Sequence, residues 1–166
     1  KGSVAAPTAG LHFTAEVLDA LKHKGVTEAF LTLHVGAGTF MPVKSETMHE
    51  HQMHHEEIVV TLEMLKQITK LSGRLVAVGT TTLRTLESIY WTAIRIINEP
   101  AESIVIDVKQ WEPYENNYRE FPNWQDAFLN LIEKMERTDM DALRGQTALL
   151  IAPGYKIRTA DVIITN

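Results

Sequence analysis

The chain alternates short apolar segments typical of strands with longer amphipathic segments typical of helices, and this alternation most restricts its fold. The patterns predict strands over 28–36, 57–60, 74–79, 103–108, 147–152 and 161–165, and helices over 14–25, 61–73, 80–97 and 124–137, with Thr14 and Thr61 as the N-caps of the first two helices. Such alternation is typical of α/β domains, so we expect a mostly parallel sheet flanked by helices. With 166 residues the chain can bury a sizeable core, and we interpret 1–166 as a single α/β domain.

Composition excludes several classes of function. The chain has no cysteine, so disulfides and thiolate chemistry are excluded, and a cytoplasmic location is expected. No apolar run approaches the length of a membrane span. The formal net charge of -5 gives no support for an extended basic surface that binds nucleic acid. The chain begins without Met and ends directly after an apolar run, which we interpret as a piece cut from a longer protein.

Two glycines follow the first predicted strand, in the motif HVGAGTF at residues 34–40. Glycine allows close backbone approach to a ligand, and in α/β sheets ligands bind beyond the carboxyl ends of strands. A tight loop that needs glycine is an equally acceptable interpretation. The spacing differs from the G-x-G-x-x-G of dinucleotide sites. Both interpretations therefore stay open for Gly36 and Gly38.

A second motif, AVGTTTLRTLES at residues 77–88, leads from a predicted buried strand into a helix. The free N–H groups of a helix start, together with threonine hydroxyls, suit a carboxylate or a phosphate. The alternative is a threonine N-cap followed by a surface ion pair between Arg84 and Glu87, worth roughly a few tenths of a kcal/mol. Spacing alone favours this alternative.

Histidines mark two further segments. In APTAGLHF, residues 6–13, His12 and Phe13 stand just before the first predicted helix, where they could position a base. A packed loop histidine is the commoner case. Four of the seven histidines lie within HEHQMHHEE, residues 49–57.

A zinc site and an acid–base site are the two chemical interpretations of residues 49–57. Zinc needs three or four ligands in a defined geometry, and the segment lacks the H-E-x-x-H spacing. General acid–base catalysis by one or two histidines is favoured, because imidazole titrates near neutral pH. A solvated polar loop is the third interpretation, and it is preferred for His49 and His55.

Several motifs in one order point to a known family. GSVAAPTAGLHFT, LTLHVGAGTFMPV, HQMHHE and AVGTTTLRTLES are followed by APGY and ADVIITN. Together they resemble the S-adenosylmethionine:tRNA ribosyltransferase-isomerase family of queuosine biosynthesis, over roughly residues 2–90 and 148–166. The resemblance implies that the chain is the α/β part of a larger two-domain enzyme, without its N-terminal β-barrel region and its C-terminal segment.

The resemblance also implies a reaction. The family transfers the ribosyl group of S-adenosylmethionine to 7-aminomethyl-7-deazaguanine at the tRNA wobble position and isomerises it, giving epoxyqueuosine and releasing adenine and methionine. The implied partners are tRNA and S-adenosylmethionine, with no metal and no separate cofactor because the cosubstrate is consumed. A base must remove the proton acidified by the sulfonium, and the departing adenine needs a proton donor.

Residue roles follow from the matching motifs. His51, His54 and Glu56 match a His-x-Met-His-x-Glu motif and are expected to carry the acid–base steps. Substrate contacts are expected from residues of the other motifs: His12, Phe13, His34, Gly36, Gly38, Thr80, Thr81, Arg84 and Glu87. The two histidines among them could contact adenine or the target base. The threonines and Arg84 are expected to bind the methionine carboxylate or an RNA phosphate, with Glu87 orienting Arg84.

One segment departs from the family pattern. Residues at about 109–145 are longer than the family implies and are interpreted as an insertion. Its aromatic side chains could stack on RNA, although its acidity opposes phosphate binding and favours a packing or oligomer surface. The insertion could also mark a divergent, non-catalytic or substrate-altered paralogue. A metal-dependent hydrolase built on the histidine segment is the remaining alternative function.

Overall fold

A computed structural model of the chain describes residues 8–34 and 53–166. In these residues a 3₁₀ turn, Thr8–His12, precedes the helices α1 Ala15–His23, α2 Leu62–Thr69, α3 Thr80–Asn98, α4 Glu112–Glu115 and α5 Trp124–Arg137. The strands are β1 Thr32–His34, β2 Glu56–Thr61, β3 Val76–Val78, β4 Ile106–Val108, β5 Ala142–Thr147 and β6 Val162–Ile164. The predicted order of strands and helices is therefore largely confirmed. No helix in the described ranges is long and apolar enough to cross a membrane.

The strands form two small sheets, a mixed one of four strands and a parallel pair, so the prediction of one mostly parallel sheet is wrong. The larger sheet has the order β1-β2-β5-β4, and the smaller one pairs β3 with β6. The pairs β1–β2 and β2–β5 are antiparallel, whereas β4–β5 and β3–β6 are parallel. Alternation in sequence shows that strands and helices take turns, but it does not show which sheet a strand joins. The half-exposed pattern of β2 is typical of an antiparallel strand.

The strand predicted over 147–152 is misplaced. The paired strand is β5, and its polar, glycine-containing sequence ALRGQT bonds to neighbours on both sides. Gly145 makes this possible, because a Cβ at that position would lie 1.9 Å from the backbone oxygen of Ile106. The close approach of β4 therefore depends on glycine rather than on apolar side chains.

Helix α3 forms the centre of the molecule. Every residue from Leu83 to Ile94 is buried, so the helix is enclosed all round rather than on the one side that its amphipathic pattern predicts. Three of its buried hydroxyl side chains bond within the helix. Thr85, Ser88 and Thr92 each donate a hydrogen bond to the carbonyl four residues earlier. Helix α5 packs against α3 and contributes Phe128, which is fully buried.

Two of the predicted helix caps are confirmed and a third is wrong. Thr14 and Thr61 accept hydrogen bonds from the backbone N–H three residues on, at 3.4 and 3.2 Å. Helix α3 instead begins after Gly79, which has φ 94° and ψ 147° and provides no side-chain cap. This backbone conformation is almost restricted to glycine, so the turn from β3 into α3 depends on that residue.

Candidate functional site

The motif that contains His34 and the motif that contains His54 both lie at one edge of the larger sheet. The Cα atoms of His34 and Glu57 are paired, so β1 ends where β2 begins. Across the next ladder Glu56 pairs with Thr147, the last residue of β5, and Val108 at the end of β4 pairs with the same residue. The motifs at 34–40 and 51–56 therefore meet the sheet at one edge. Gly36, Gly38 and His51 lie outside the described residues, as does the side chain of His34.

A buried ion pair joins this edge to helix α3. The guanidinium of Arg84 donates to a carboxylate oxygen of Glu56 at 2.8 Å, and the two side chains are only 11% and 1% exposed. Arg84 also donates to the backbone oxygens of His54 at 3.4 Å and Thr147 at 3.5 Å. Burial lowers the pKa of Arg84, and the adjacent Glu56 carboxylate opposes that shift. The pair thus holds together α3, the start of β2 and the end of β5.

Glu87 has a different set of partners. Its fully buried carboxylate accepts hydrogen bonds from the Tyr155 hydroxyl at 2.5 Å, from the backbone N–H of Arg158 at 3.0 Å and from the Thr159 N–H at 2.8 Å. The Thr159 hydroxyl donates to it as well, at 2.5 Å. Burial and the neighbouring carboxylate raise the pKa of Tyr155, which keeps its hydroxyl a donor. Glu87 therefore anchors residues 155–159 to the central helix.

Both expectations that linked Arg84 to Glu87 are wrong. They do not form a surface ion pair, because both residues are buried and each is engaged elsewhere. For the same reason Glu87 does not orient Arg84; Glu56 does so. The sequence spacing of three residues suggested a contact that the packing of α3 prevents, since each side chain turns toward a different neighbouring segment.

His54 is exposed at the same edge. Its neighbour Met53 donates its backbone N–H to the side-chain oxygen of Gln110 at 2.9 Å, and Arg84 bonds to the His54 carbonyl. The backbone at residues 53–54 is thereby held from two sides while the imidazole stays accessible. An accessible imidazole on a fixed backbone suits general acid–base chemistry. His55 is exposed as well.

A second corner lies at the start of α3, beyond the carboxyl ends of β3 and β6. Gly79 donates its N–H to the carbonyl of Ile164 at 2.8 Å, which ties the start of the helix to β6. The imidazole Nε2 of His12 lies 2.9 Å from the side-chain oxygen of Asn166, so the two chain segments meet there. Thr80 is exposed and Thr81 is partly exposed at the first turn. Phe13, next to His12, is partly buried.

The edge of the larger sheet that carries His54 is the first corner and the start of α3 is the second. The two are close to one another along α3. Thr80 and Arg84 are four residues apart, which corresponds to about 6 Å of helix rise. The positive end of the α3 dipole lies at the second corner, the start of the helix, and favours an anion there. The helix start and Arg84, which joins α3 to the edge that carries His54, are therefore about one helical turn apart.

A metal cluster is absent from the described residues, which do not include His49 and His51, and one surface depression lies away from the motifs. In the described ranges 8–34 and 53–166 there is no group of three or more histidine, aspartate or glutamate side chains that could hold a metal. A surface depression lined by Thr27, Phe30, Met64 and Gln67 adjoins Thr61, which is the end of β2 opposite to Glu56. It contains none of the residues that the sequence motifs single out.

Four residues of the two corners were not anticipated from the sequence: Gln110, Thr147, Tyr155 and Asn166. Tyr155 and Asn166 belong to the motifs APGY and ADVIITN, so those motifs could have drawn attention to them. Gln110 and Thr147 carry no such signal. They lie at the site because they stand at, or just after, the ends of β4 and β5.

Comparison with known proteins gives one consistent result. The family described as queuosine biosynthesis protein matches residues 1–166. An S-adenosylmethionine:tRNA ribosyltransferase-isomerase from Rickettsia akari (strain Hartford) is 41% identical over 169 residues, covering 100% of this chain and 33% of the relative. The enzymes of the same name from Rickettsia typhi (strain ATCC VR-144 / Wilmington) and Rickettsia prowazekii (strain Madrid E) are 64% and 65% identical over 91 residues, 53% of this chain and 24% of each relative.

The chain spans no more than about a third of the length of these curated relatives. No solved structure matches it. The match over 1–166 includes the region at about 109–145 that the sequence motifs did not cover.

Proposed function

Because the chain belongs to the queuosine biosynthesis protein family, we propose that it forms part of an S-adenosylmethionine:tRNA ribosyltransferase-isomerase. The proposed reaction transfers the ribosyl group of S-adenosylmethionine to 7-aminomethyl-7-deazaguanine at the tRNA wobble position. Isomerisation of the ribosyl group then gives epoxyqueuosine, with release of adenine and methionine. The proposed partners are S-adenosylmethionine and tRNA, and the proposed location is the cytoplasm.

The observation that carries the proposal is the convergence of separate motifs on one sheet edge. Segments that are distant in sequence, around His34, His54 and Arg84, meet there through strand pairing and a buried ion pair. A fourth motif, with His12, lies at the start of the same helix through its contact with Asn166. An arrangement that brings several motifs of one family together supports a shared task for them.

We assign the acid–base work first to His54. It is exposed, its backbone is held on both sides, and a neutral imidazole is a suitable base at physiological pH. His51, which belongs to the same motif, is the proposed second participant. The family reaction needs one group to take the proton next to the sulfonium and one to supply a proton to adenine, so two such groups suffice.

Glu56 and Arg84 fit a positioning role better than the roles expected for them. The Glu56 carboxylate is 1% exposed and receives the Arg84 guanidinium, so a substrate proton cannot reach it directly. Arg84 is likewise occupied by Glu56 and two backbone carbonyls, which leaves little capacity for a methionine carboxylate. We propose that the pair fixes the backbone that carries His54.

The anion contact is then assigned to the start of α3. Thr80 and Thr81 stand at the positive end of the helix dipole and are at least partly exposed. We propose that they receive the methionine carboxylate or an RNA phosphate, and that His12 and Phe13 lie beside the bound substrate. His34, Gly36 and Gly38 stay proposed substrate contacts on the basis of their motif alone.

We also propose that 1–166 forms one domain in which the segment at about 109–145 is integral. Helix α5 lies inside that segment and packs its buried residues Phe128, Leu131 and Met135 against α2 and α3. Removal of the segment would therefore expose the apolar core rather than trim a loop. Limited proteolysis tests this: rapid cleavage between 109 and 145 without loss of the fold would contradict it.

A pair of adjacent histidines provides the experiment that tests the function. His54 belongs to the motif and His55 does not, and both are exposed, so His55→Ala is a matched control for His54→Ala. The assay measures adenine released by the protein expressed from the complete gene, given S-adenosylmethionine and an anticodon stem-loop that carries 7-aminomethyl-7-deazaguanine. We expect His54→Ala to lower the rate about 10²- to 10⁴-fold, and His55→Ala to change it little. Equal rates in both variants would refute the assignment of His54.

A further inference from the structure

Three aromatic side chains form a cluster beside the candidate site, here called the Tyr114 cluster: Trp111, Tyr114 and Tyr155. The ring centroid of Tyr114 lies 5.4 Å from that of Trp111 and 5.8 Å from that of Tyr155. Tyr114 is 40% exposed, whereas the other two are partly buried. Tyr114 is thus the most exposed member of the cluster.

The open ring is held in a fixed orientation. The Tyr114 hydroxyl donates to the carbonyl of Leu150 and accepts from the N–H of Ala152, both at 3.0 Å. The neighbouring Tyr155 is fixed in turn, because its hydroxyl donates to Glu87 and accepts from Trp91 at 2.7 Å. Because the Tyr114 hydroxyl already has a donor and an acceptor partner, a ligand would contact the ring rather than the hydroxyl. A preordered aromatic face loses little entropy on binding.

The Tyr114 cluster is attached to the segment that carries His54. Gln110, which precedes Trp111, accepts the backbone N–H of Met53 with its side chain and that of Leu150 with its carbonyl, at 2.9 and 3.2 Å. A ring stacked on Tyr114 would therefore lie near the proposed acid–base group. The bond to Met53 joins Gln110 to the backbone beside His54, and the bond to Leu150 joins it to the residue whose carbonyl accepts from the Tyr114 hydroxyl.

The charges around the cluster select the kind of ligand. Glu112 and Glu115 stand on either side of Tyr114 in α4, so a phosphate is repelled. The Glu112 side chain is committed to the Lys109 N–H and the Tyr118 hydroxyl, and burial raises its pKa. The carboxylates disfavour an anion at the ring, and an uncharged, planar ring can stack on it without an electrostatic penalty. Nucleobases have this character, and every base offers a π face for stacking.

We propose that the exposed face of Tyr114 is a stacking subsite for a nucleobase. The inference rests on the proposed function, which supplies two such bases: the adenine of S-adenosylmethionine and a base of the RNA. The same chemistry recognises either of them, and binding measurements distinguish the two sources.

The test measures dissociation constants of the protein expressed from the complete gene, with three probes. The probes are S-adenosylmethionine, S-methylmethionine, which keeps the sulfonium but lacks the base, and the anticodon stem-loop RNA. Tyr114→Leu removes the aromatic face and keeps an apolar side chain, whereas Tyr114→Phe keeps the ring and removes the hydroxyl. Phe30→Ala removes an aromatic ring that is 80% exposed outside the cluster and is the matched control.

Because stacking is lost, Tyr114→Leu should raise the dissociation constant of the probe that carries the stacked base by about 5- to 150-fold. Weaker S-adenosylmethionine binding with unchanged RNA binding identifies adenine, and the converse identifies an RNA base. The dissociation constants of the Tyr114→Phe and Phe30→Ala proteins, and that of Tyr114→Leu for S-methylmethionine, should stay close to those of the unaltered protein. The inference is overturned if Tyr114→Leu binds both S-adenosylmethionine and the RNA as tightly as the unaltered protein does. It is also overturned if Tyr114→Phe binds as weakly as Tyr114→Leu, or if the unaltered protein binds neither S-adenosylmethionine nor the RNA. Stacking on Tyr114 without adenine release would refute the proposed function alone.

Discussion

Removal of Arg84 should destabilise the chain far more than a surface ion pair could explain. In Arg84→Ala the Glu56 carboxylate, 1% exposed, stays buried without the guanidinium that lies 2.8 Å away. Breaking a buried ion pair from one side typically costs about 3–5 kcal/mol, because the remaining charge is left in a poorly solvated place. An exposed pair is worth about 0–1 kcal/mol. The two cases are therefore separated by several kcal/mol.

The assay is urea unfolding of the chain at neutral pH, followed by the fluorescence of its three tryptophans, of which Trp91 is buried in the core. Arg137→Ala is the matched control, because Arg137 pairs with Glu133 on α5 and both side chains are more than half exposed. We expect Arg84→Ala to lower the free energy of unfolding by about 3–5 kcal/mol, and Arg137→Ala by less than about 1 kcal/mol.

A double variant separates the ion pair from simple packing. Glu56→Leu combined with Arg84→Met replaces both charges by apolar groups, which for buried pairs is often neutral or even stabilising. The double variant should therefore be more stable than Arg84→Ala. If Arg84→Ala costs no more than Arg137→Ala, the buried-pair account is refuted and the surface-pair interpretation is restored.

Further predictions concern the backbone, the Glu87 anchor and pH. Gly145→Ala should cost roughly 3 kcal/mol in unfolding free energy, because its Cβ would overlap the Ile106 backbone; a cost below about 0.5 kcal/mol would contradict the close β4–β5 approach. Tyr155→Phe removes one hydrogen bond to Glu87 and should cost about 1–3 kcal/mol, measured in the same way, and a neutral result would count against the anchor. Burial raises the pKa of Tyr118 from 10.0 to about 12, so folding favours its neutral form. The stability from this shift is complete below pH 10 and is lost as the pH rises through 12, and Tyr118→Phe should lose less stability over that window.

The elements of the fold were largely predictable because their signals are local. The helix α3 was predicted over 80–97 and spans Thr80–Asn98, and α5 matches its predicted bounds of 124–137. Thr14 and Thr61 were recognised as caps because a cap is defined within four residues. The sheet arrangement was not predictable, since strand pairing joins residues far apart in sequence, such as those of β2 and β5.

The candidate site was predictable as a set of residues but not as a set of contacts. Motifs singled out His54, Glu56, Arg84 and Glu87, yet nothing in the spacing shows that Arg84 bonds to a residue 28 positions away. Helical spacing instead suggested the pair Arg84–Glu87, because i,i+3 neighbours often interact on an exposed helix surface. Burial of α3 on all sides removes that condition, and burial depends on the whole fold.

The measurement that tests the central claim most directly is the fate of both substrates with the protein expressed from the complete gene. S-adenosylmethionine and the anticodon stem-loop carrying 7-aminomethyl-7-deazaguanine are incubated together, adenine is quantified, and the RNA is digested to nucleosides for mass spectrometry. The account predicts one adenine released for each epoxyqueuosine formed, with neither product when the stem-loop carries an unmodified guanine. Adenine release that does not depend on the modified base, or an unchanged nucleoside after prolonged incubation, would contradict it.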